Sequence, residues 1–206
     1  AMVLERAQAR LRTEILVNLS AVDPVTNLYN RSFLDKRLAE EINRSQRQSL
    51  QFTIVLVELD HLSLYASICG SAAAAAVTIK TVAAINRSAR QMDVVCSFNS
   101  ETFCIILPGT LEKDAITVAE RIRKAASRMK IPGEESLPSG KISASIGLAT
   151  FPADARDSDG LLAAAMDAVN RAKAEGRDCV VLHEVEVSSS TPDLTAAFQT
   201  NRMKMG

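Results

Sequence analysis

Residues 93–110 constrain the fold more than any other stretch. Asp93-Val94-Val95-Cys96-Ser97-Phe98 and Thr102-Phe103-Cys104-Ile105-Ile106-Leu107 are two runs of strand composition. A short polar link centred on Asn99-Ser100 separates them, which predicts a hairpin with Asn99 and Ser100 at its tight positions. Gln51 to Leu59 is the strongest strand signal, short, apolar and β-branched, as suits a buried central strand, and it runs into Glu58-Leu59-Asp60. Lys141–Thr150 alternates with Ile142, Ala144, Ile146 and Leu148, and Asp178–His183 supplies a last strand. Helical patterns fall between the strands. They cover 31–48 with Phe33, Leu34, Leu38 and Ile42 on one face, 72–88 from an alanine run, 111–129, and 159–175 ended by Gly176. The order predicts an α/β fold of the α+β sandwich kind, with a central, mostly antiparallel five-stranded sheet flanked by helices.

The flanks differ from this middle. Residues 2–20 carry Leu4, Leu11, Ile15 and Leu19 near helical spacing, which predicts an N-terminal helix, either a signalling stalk or a helix packed on its own domain. Residues 186–206 shift to serine, threonine and proline and read as a linker with a short helix near Leu194–Phe198. The division expected is therefore 1–22, 23–185 and 186–206. The formal net charge of the 206 residues is zero, which argues against a DNA- or RNA-binding surface. No apolar run is long enough to span a bilayer and no signal peptide is visible, so a cytoplasmic domain cut from a longer protein is expected, without membrane insertion. Cys69, Cys96, Cys104 and Cys179 form no Cys-x-x-Cys pair and are expected as buried free thiols. His61 and His183 stand alone, without ligand spacing.

Several short segments, in order and at matching spacing, resemble the diguanylate cyclase family. They are Asp23-Pro24-Val25-Thr26-Asn27-Leu28-Tyr29-Asn30-Arg31, the strand end Glu58-Leu59-Asp60, the hairpin closing on Phe103, Ile105-Ile106-Leu107-Pro108-Gly109-Thr110, Ala119-Glu120-Arg121-Ile122-Arg123, Ser143-Ala144-Ser145-Ile146-Gly147-Leu148-Ala149, and Ala172-Lys173-Ala174-Glu175-Gly176-Arg177-Asp178. The resemblance covers about Asp23 to His183 and implies a nucleotidyl-cyclase-like fold. The family joins two GTP molecules into cyclic di-GMP with metal ions held between carboxylates and phosphates. Its signature hairpin reads Gly-Gly-Asp/Glu-Glu-Phe; here it is Asn99-Ser100-Glu101-Thr102-Phe103.

The departures fall on the catalytic positions. Glu58 and Glu101 match the metal-holding acids, which leaves at most a vestigial Mg²⁺ site, since glutamate is a methylene longer than aspartate and Mg²⁺ tolerates poor geometry badly. Thr102 replaces the second motif acid, and Ser63 the lysine that meets phosphate. Ala66 and Ala75 replace the side chains that read guanine. Lys173 and Arg177 match triphosphate contacts, or are only solvated charges at a helix C-terminus. No catalytic residues are therefore expected. The family's inhibitory product site is an Arg-x-x-Asp before the hairpin, matched by Arg90-Gln91-Met92-Asp93, with Arg121 and Arg44 at positions that complete it. Arg156-Asp157-Ser158-Asp159 fits the same pattern without the register. Guanidinium suits phosphate or the guanine O6/N7 edge, and carboxylate suits guanine N1/N2. The reading is a catalytically inactive cyclase-like domain that binds cyclic di-GMP, dimerising or meeting a partner through the N-terminal helix, with no required cofactor. An interaction scaffold without nucleotide, or a weak residual cyclase, are the alternatives.

Overall fold

The computed structural model describes residues 21–184. The expected helix over 2–20 and the tail 186–206 lie outside the described residues. The strands are β1 (Phe52–Asp60), β2 (Val94–Ser97), β3 (Thr102–Pro108), β4 (Ser143–Phe151) and β5 (Val180–Leu182). They form one sheet in the order β2-β3-β1-β4-β5, antiparallel throughout except for the parallel β4–β5 pair. The helices are α1 (Arg31–Gln48), α2 (Leu62–Cys69), α3 (Ser71–Ser88), α4 (Glu112–Ser127) and α5 (Ser158–Ala174). This is the expected sandwich. It contains one helix the sequence pattern did not reveal, because α2 is only two turns long and is stopped by Gly70 at φ 91°.

β1 is hydrogen-bonded on both edges and buried on both faces, so its apolar run is continuous rather than alternating. Val55, Val57 and Leu59 face one core with side chains of α2, α3 and α4. Phe52, Ile54 and Leu56 face the other, with α1 and α5. Polar side chains start two of the helices: Asn30 accepts from Phe33 N at 3.0 Å at the head of α1, and Asp157 from Gly160 N at 2.8 Å at the head of α5. Such caps contribute about 1 kcal/mol each.

The hairpin differs from expectation in its turn. The β2–β3 link has four residues, 98–101, with Phe98 N and Asn99 N both donating to Thr102 O at 2.9 and 3.2 Å. Asn99 Oδ1 then accepts from Glu101 N and Thr102 N at 2.9 and 2.8 Å. The side chain does what the backbone does in a two-residue turn, which is why asparagine serves here without glycine. The cysteines are unpaired. Cys96 and Cys104 oppose each other across β2 and β3 and are buried, whereas Cys69 and Cys179 are partly exposed, so the expected burial holds for two of the four. Burial pushes the Cys96 thiol up to about 12 and the Cys104 thiol well above its ordinary value, leaving both unreactive at neutral pH.

Gly147 sets the approach of α5 to the sheet. A Cβ there would meet Ala165 O at 2.3 Å and Val169 N at 2.5 Å, backbone atoms that move only with the whole helix. Gly147→Ala should therefore cost about 3 kcal/mol of stability, read as a lower urea midpoint with an unchanged slope.

Candidate functional site

One turn forms a wall of two cavities. Asp23 Oδ1 accepts from Val25 N, Thr26 N and Thr26 Oγ at 3.1, 2.8 and 2.7 Å, while Asp23 N donates to Leu28 O at 2.7 Å. Asn27 stands where the resembled family has glycine. Its φ is 56°, in the left-handed region that asparagine tolerates better than most side chains. Ser97 N donates to Tyr29 O at 2.7 Å, so the turn also covers the free edge of β2.

The first cavity, about 480 Å³, lies between this turn, the start of α1, α2, α3 and the hairpin loop. Leu62, Ala66, Ala74, Ala75 and Phe98 supply its apolar walls. Of the residues matched to catalysis, Ala66, Ala75 and Glu101 line it, and the charged ones are engaged with neighbouring side chains. Lys173 Nζ donates to Glu58 Oε1 at 2.6 Å, so the expected phosphate contact is an ion pair rather than a solvated charge. Arg177 Nε lies 3.9 Å from Asp60 Oδ1. Ser63 Oγ, in the lysine's place, donates to the Glu101 carboxylate. Thr102 opposes Glu58 across β1 and β3 and is buried. Among the described residues no three histidine, cysteine, aspartate or glutamate side chains come together as a metal would require.

Sequence reasoning did not single out Asp60 or Asp178. Asp60 is 3% exposed and accepts from Ser143 Oγ and Ser145 Oγ, both at 2.7 Å, and from Asp178 N at 3.3 Å. Asp178 accepts from Arg123 and Lys141 at 2.7 and 2.5 Å and from Ser127 at 3.1 Å. Burial raises its carboxyl, but these hydrogen bonds outweigh that and leave it below the ordinary aspartate range. The bonds hold Gly176, Arg177 and Asp178 at φ 113°, 65° and 48°, three successive left-handed residues. The signal for this was present, since aspartate tolerates that region, but its partners are far away in sequence.

The second cavity, about 440 Å³, opens between the turn and the start of β2, bordered by Asn27, Tyr29, Asn86, Arg90 and Asp93. Arg90 N donates to Asp93 Oδ2 at 2.6 Å. Arg121, on α4, donates to Ser88 O at 2.5 Å, next to the same turn. The Arg90 guanidinium makes no hydrogen bond or ion pair among the described residues. Asp93 Oδ1 is buried and has no hydrogen-bond partner. Burial raises the Asp93 carboxyl above its ordinary value despite the Arg90 N–H and the charges of Arg90 and Arg121. Arg90, Asp93 and Arg121 are thus together. Arg44 is not with them: it sits on α1, across the sheet, donating to Glu41 Oε1 at 2.7 Å. Glu41 is wholly buried and also accepts from Arg37, so the Arg44 guanidinium anchors an ion-pair cluster on that face.

A family model described as "Diguanylate cyclase, GGDEF domain" matches residues 20–179. The bifunctional diguanylate cyclase/cyclic di-GMP phosphodiesterase MucR of Pseudomonas aeruginosa is 28% identical over 191 residues, 93% of this chain and 27% of its own length. The response regulator PleD of Caulobacter vibrioides is 26% identical, covering 88% of this chain and 41% of PleD. The chain thus spans less than half of these curated relatives. Among solved structures, the GGDEF domain of DgcB from Caulobacter crescentus in complex with c-di-GMP superposes with a TM-score of 0.72 at 23% identity, covering 80% of this chain and 96% of that one, a likeness of fold. Diguanylate cyclase SiaD from Pseudomonas aeruginosa, solved with its activator SiaC, gives 0.71 at 26% identity, covering 88% of this chain and 69% of that one.

The unpartnered Asp93 oxygen has a consequence for stability. A carboxyl whose folded value is raised favours folding in its neutral form, so its penalty is absent in acid and appears as the pH rises through the folded value. Asp93→Asn should therefore be more stable than the parent at pH 7, with the gain vanishing toward the ordinary aspartate value, as chemical denaturation at several pH values would read.

Proposed function

This chain belongs to the diguanylate cyclase GGDEF domain family, and on that footing we propose that it binds cyclic di-GMP without making it. The observation that carries the reading is Asp93 Oδ1, buried and without a partner beside Arg90 and Arg121. An orphaned buried acceptor costs about 1–3 kcal/mol, and a ligand donor removes that cost. The N1/N2 edge of guanine offers two such donors, and the Arg90 guanidinium offers a fork for phosphate or for O6/N7. The ligand named for DgcB is cyclic di-GMP, which supports the choice of nucleotide.

Loss of turnover rests on different residues. Glu58 is held by Lys173 and Glu101 by Ser63, so a metal would have to compete with the Lys173 cation for Glu58, and that cation is engaged by an acid. Alanines at 66 and 75 line the cavity where guanine readers are needed, and a buried base edge left unpaired is rejected by orders of magnitude. Arg44 lies on the opposite face of the sheet, so its part in the site is to reach the ligand from a second copy of the chain. Bound cyclic di-GMP then bridges two domains. The domain is a regulatory module working in the cytoplasm, passing the ligand's presence to whatever adjoins it.

Calorimetry tests the binding. Cyclic di-GMP should bind with an affinity tighter than about 100 μM, and no heat at that concentration ends the reading. Arg90→Ala should weaken binding by about 10- to 150-fold, the loss of a hydrogen bond made by a charged group. Affinity should also fall on acidification before ordinary aspartates titrate, because the raised Asp93 carboxyl protonates first and loses its acceptor. Incubation with GTP and Mg²⁺ or Mn²⁺ should give no cyclic product; product at rates typical of the family refutes the inactivity.

A further inference from the structure

Another hollow lies at the far end of β1, away from the hairpin loop. We propose that it binds a small monocarboxylate with a short apolar body. Its volume is about 370 Å³, within the range of small-molecule pockets, and it forms where the C-terminal end of α1 meets the start of β1 and the end of β4. Leu50, Phe151 and Pro152 give it an apolar side, and Ser45, Gln46 and Arg156 a polar one. Phe52 opposes Phe151 across β1 and β4, and their rings stack with centroids 5.2 Å apart, so the apolar side is continuous with the core. None of its lining residues is shared with the two cavities described above.

One of these polar groups is unmatched. Ser45 is 1% exposed, and its Oγ has no hydrogen-bond partner. A serine inside a helix can donate its hydroxyl to the carbonyl one turn back, here that of Glu41, and Ser45 does not. Its own carbonyl is already taken by Ser49 N and by Leu50 N, the latter at 3.0 Å. A buried hydroxyl left unpaired is costly, and a ligand oxygen that accepts from it removes that cost.

Arg156 supplies the charge. It is exposed, and its guanidinium makes no hydrogen bond or ion pair among the described residues. The acids nearest to it along the chain are engaged elsewhere: Asp154 Oδ2 accepts from Thr150 N at 2.6 Å, and Asp157 Oδ1 from Gly160 N at 2.8 Å. Glu41, one turn before Ser45, is held by Arg37 and Arg44. Among the described residues no acid lines the hollow. Gln46 Nε2 donates to Arg156 O at 3.5 Å, which ties the end of α1 to the segment that carries the guanidinium. A carboxylate offers acceptors to both the guanidinium and the Ser45 hydroxyl, and brings no donor that would need an acid. Leu50, Phe151 and Pro152 then cover a short hydrocarbon body, which an inorganic anion lacks.

Benzoate is the probe, followed through backbone amide signals in an NMR titration of the whole chain. It should move the Ser45, Leu50 and Gln51 amides saturably, with a dissociation constant on the order of 1 mM, as expected for so small a ligand. Benzamide, of the same shape without the charge, should bind about tenfold more weakly, and inorganic phosphate should leave these signals unmoved. Arg156→Gln, at an exposed position that folding does not depend on, should weaken benzoate about tenfold. Ser45→Ala should also weaken benzoate, yet leave the urea midpoint of the free protein unchanged or higher, because it removes an unpaired hydroxyl; a serine with only a structural role would not give that pair of results. Arg90→Ala should leave benzoate binding intact, so failure here is distinguishable from failure of the cyclic di-GMP reading. The proposal falls if benzoate gives no saturable shift up to about 10 mM, if benzamide or phosphate binds as tightly, or if either Arg156→Gln or Ser45→Ala binds benzoate unchanged.

Discussion

The molecule depends on β1 having no exposed side. All nine of its residues pair with β4 and seven with β3, both faces are covered, and β2 and β5 join the sheet through β3 and β4. Apolar burial contributes roughly 25 cal/mol per Å², so a strand covered on both faces is worth more than any surface interaction in the chain. Because the core fixes β1 so firmly, its polar end is delivered to one place. Glu58 and Asp60 emerge where α5, the turn before β5 and the hairpin loop all converge, and each finds a partner there.

Those partnerships tie the polar end of β1 into a structural network. Lys173 and Arg177 face the acids Glu58 and Asp60, and Ser63 donates to Glu101. Asp60 and Asp178 stitch α4, β4 and the turn before β5 to the end of β1. The ring of polar groups is closed on itself. At the other cavity the ring is left open, with one buried carboxylate oxygen unmatched. A protein keeps such an orphan only against a cost, and ligand-binding positions are where that cost is commonly found.

Most of the fold was legible from pattern. Alternation gave β4, the apolar run gave β1, the paired runs gave β2 and β3, and capping residues marked the heads of α1 and α5. α2 was missed because eight residues hold too few turns for a periodic signal. The hairpin was placed correctly but its link was read one residue too short, since the Asn99 side chain stands in for backbone hydrogen bonds that composition does not encode. Arg90, Asp93 and Arg121 were nominated from motif register and do lie together. Arg44 was nominated on the same basis and lies across the sheet, because linear spacing carries no information about which face a helix covers. Asp178 was hidden for a similar reason: its three partners are 37 to 55 residues away along the chain.

The turn from Asp23 to Asn30 borders both cavities, Asp23, Val25 and Thr26 on one side and Asn27, Leu28 and Tyr29 on the other. Its internal hydrogen bonds make it a single stiff plate rather than two independent walls. Whatever fills either cavity therefore rests against the same rigid segment, the one piece of backbone the two share.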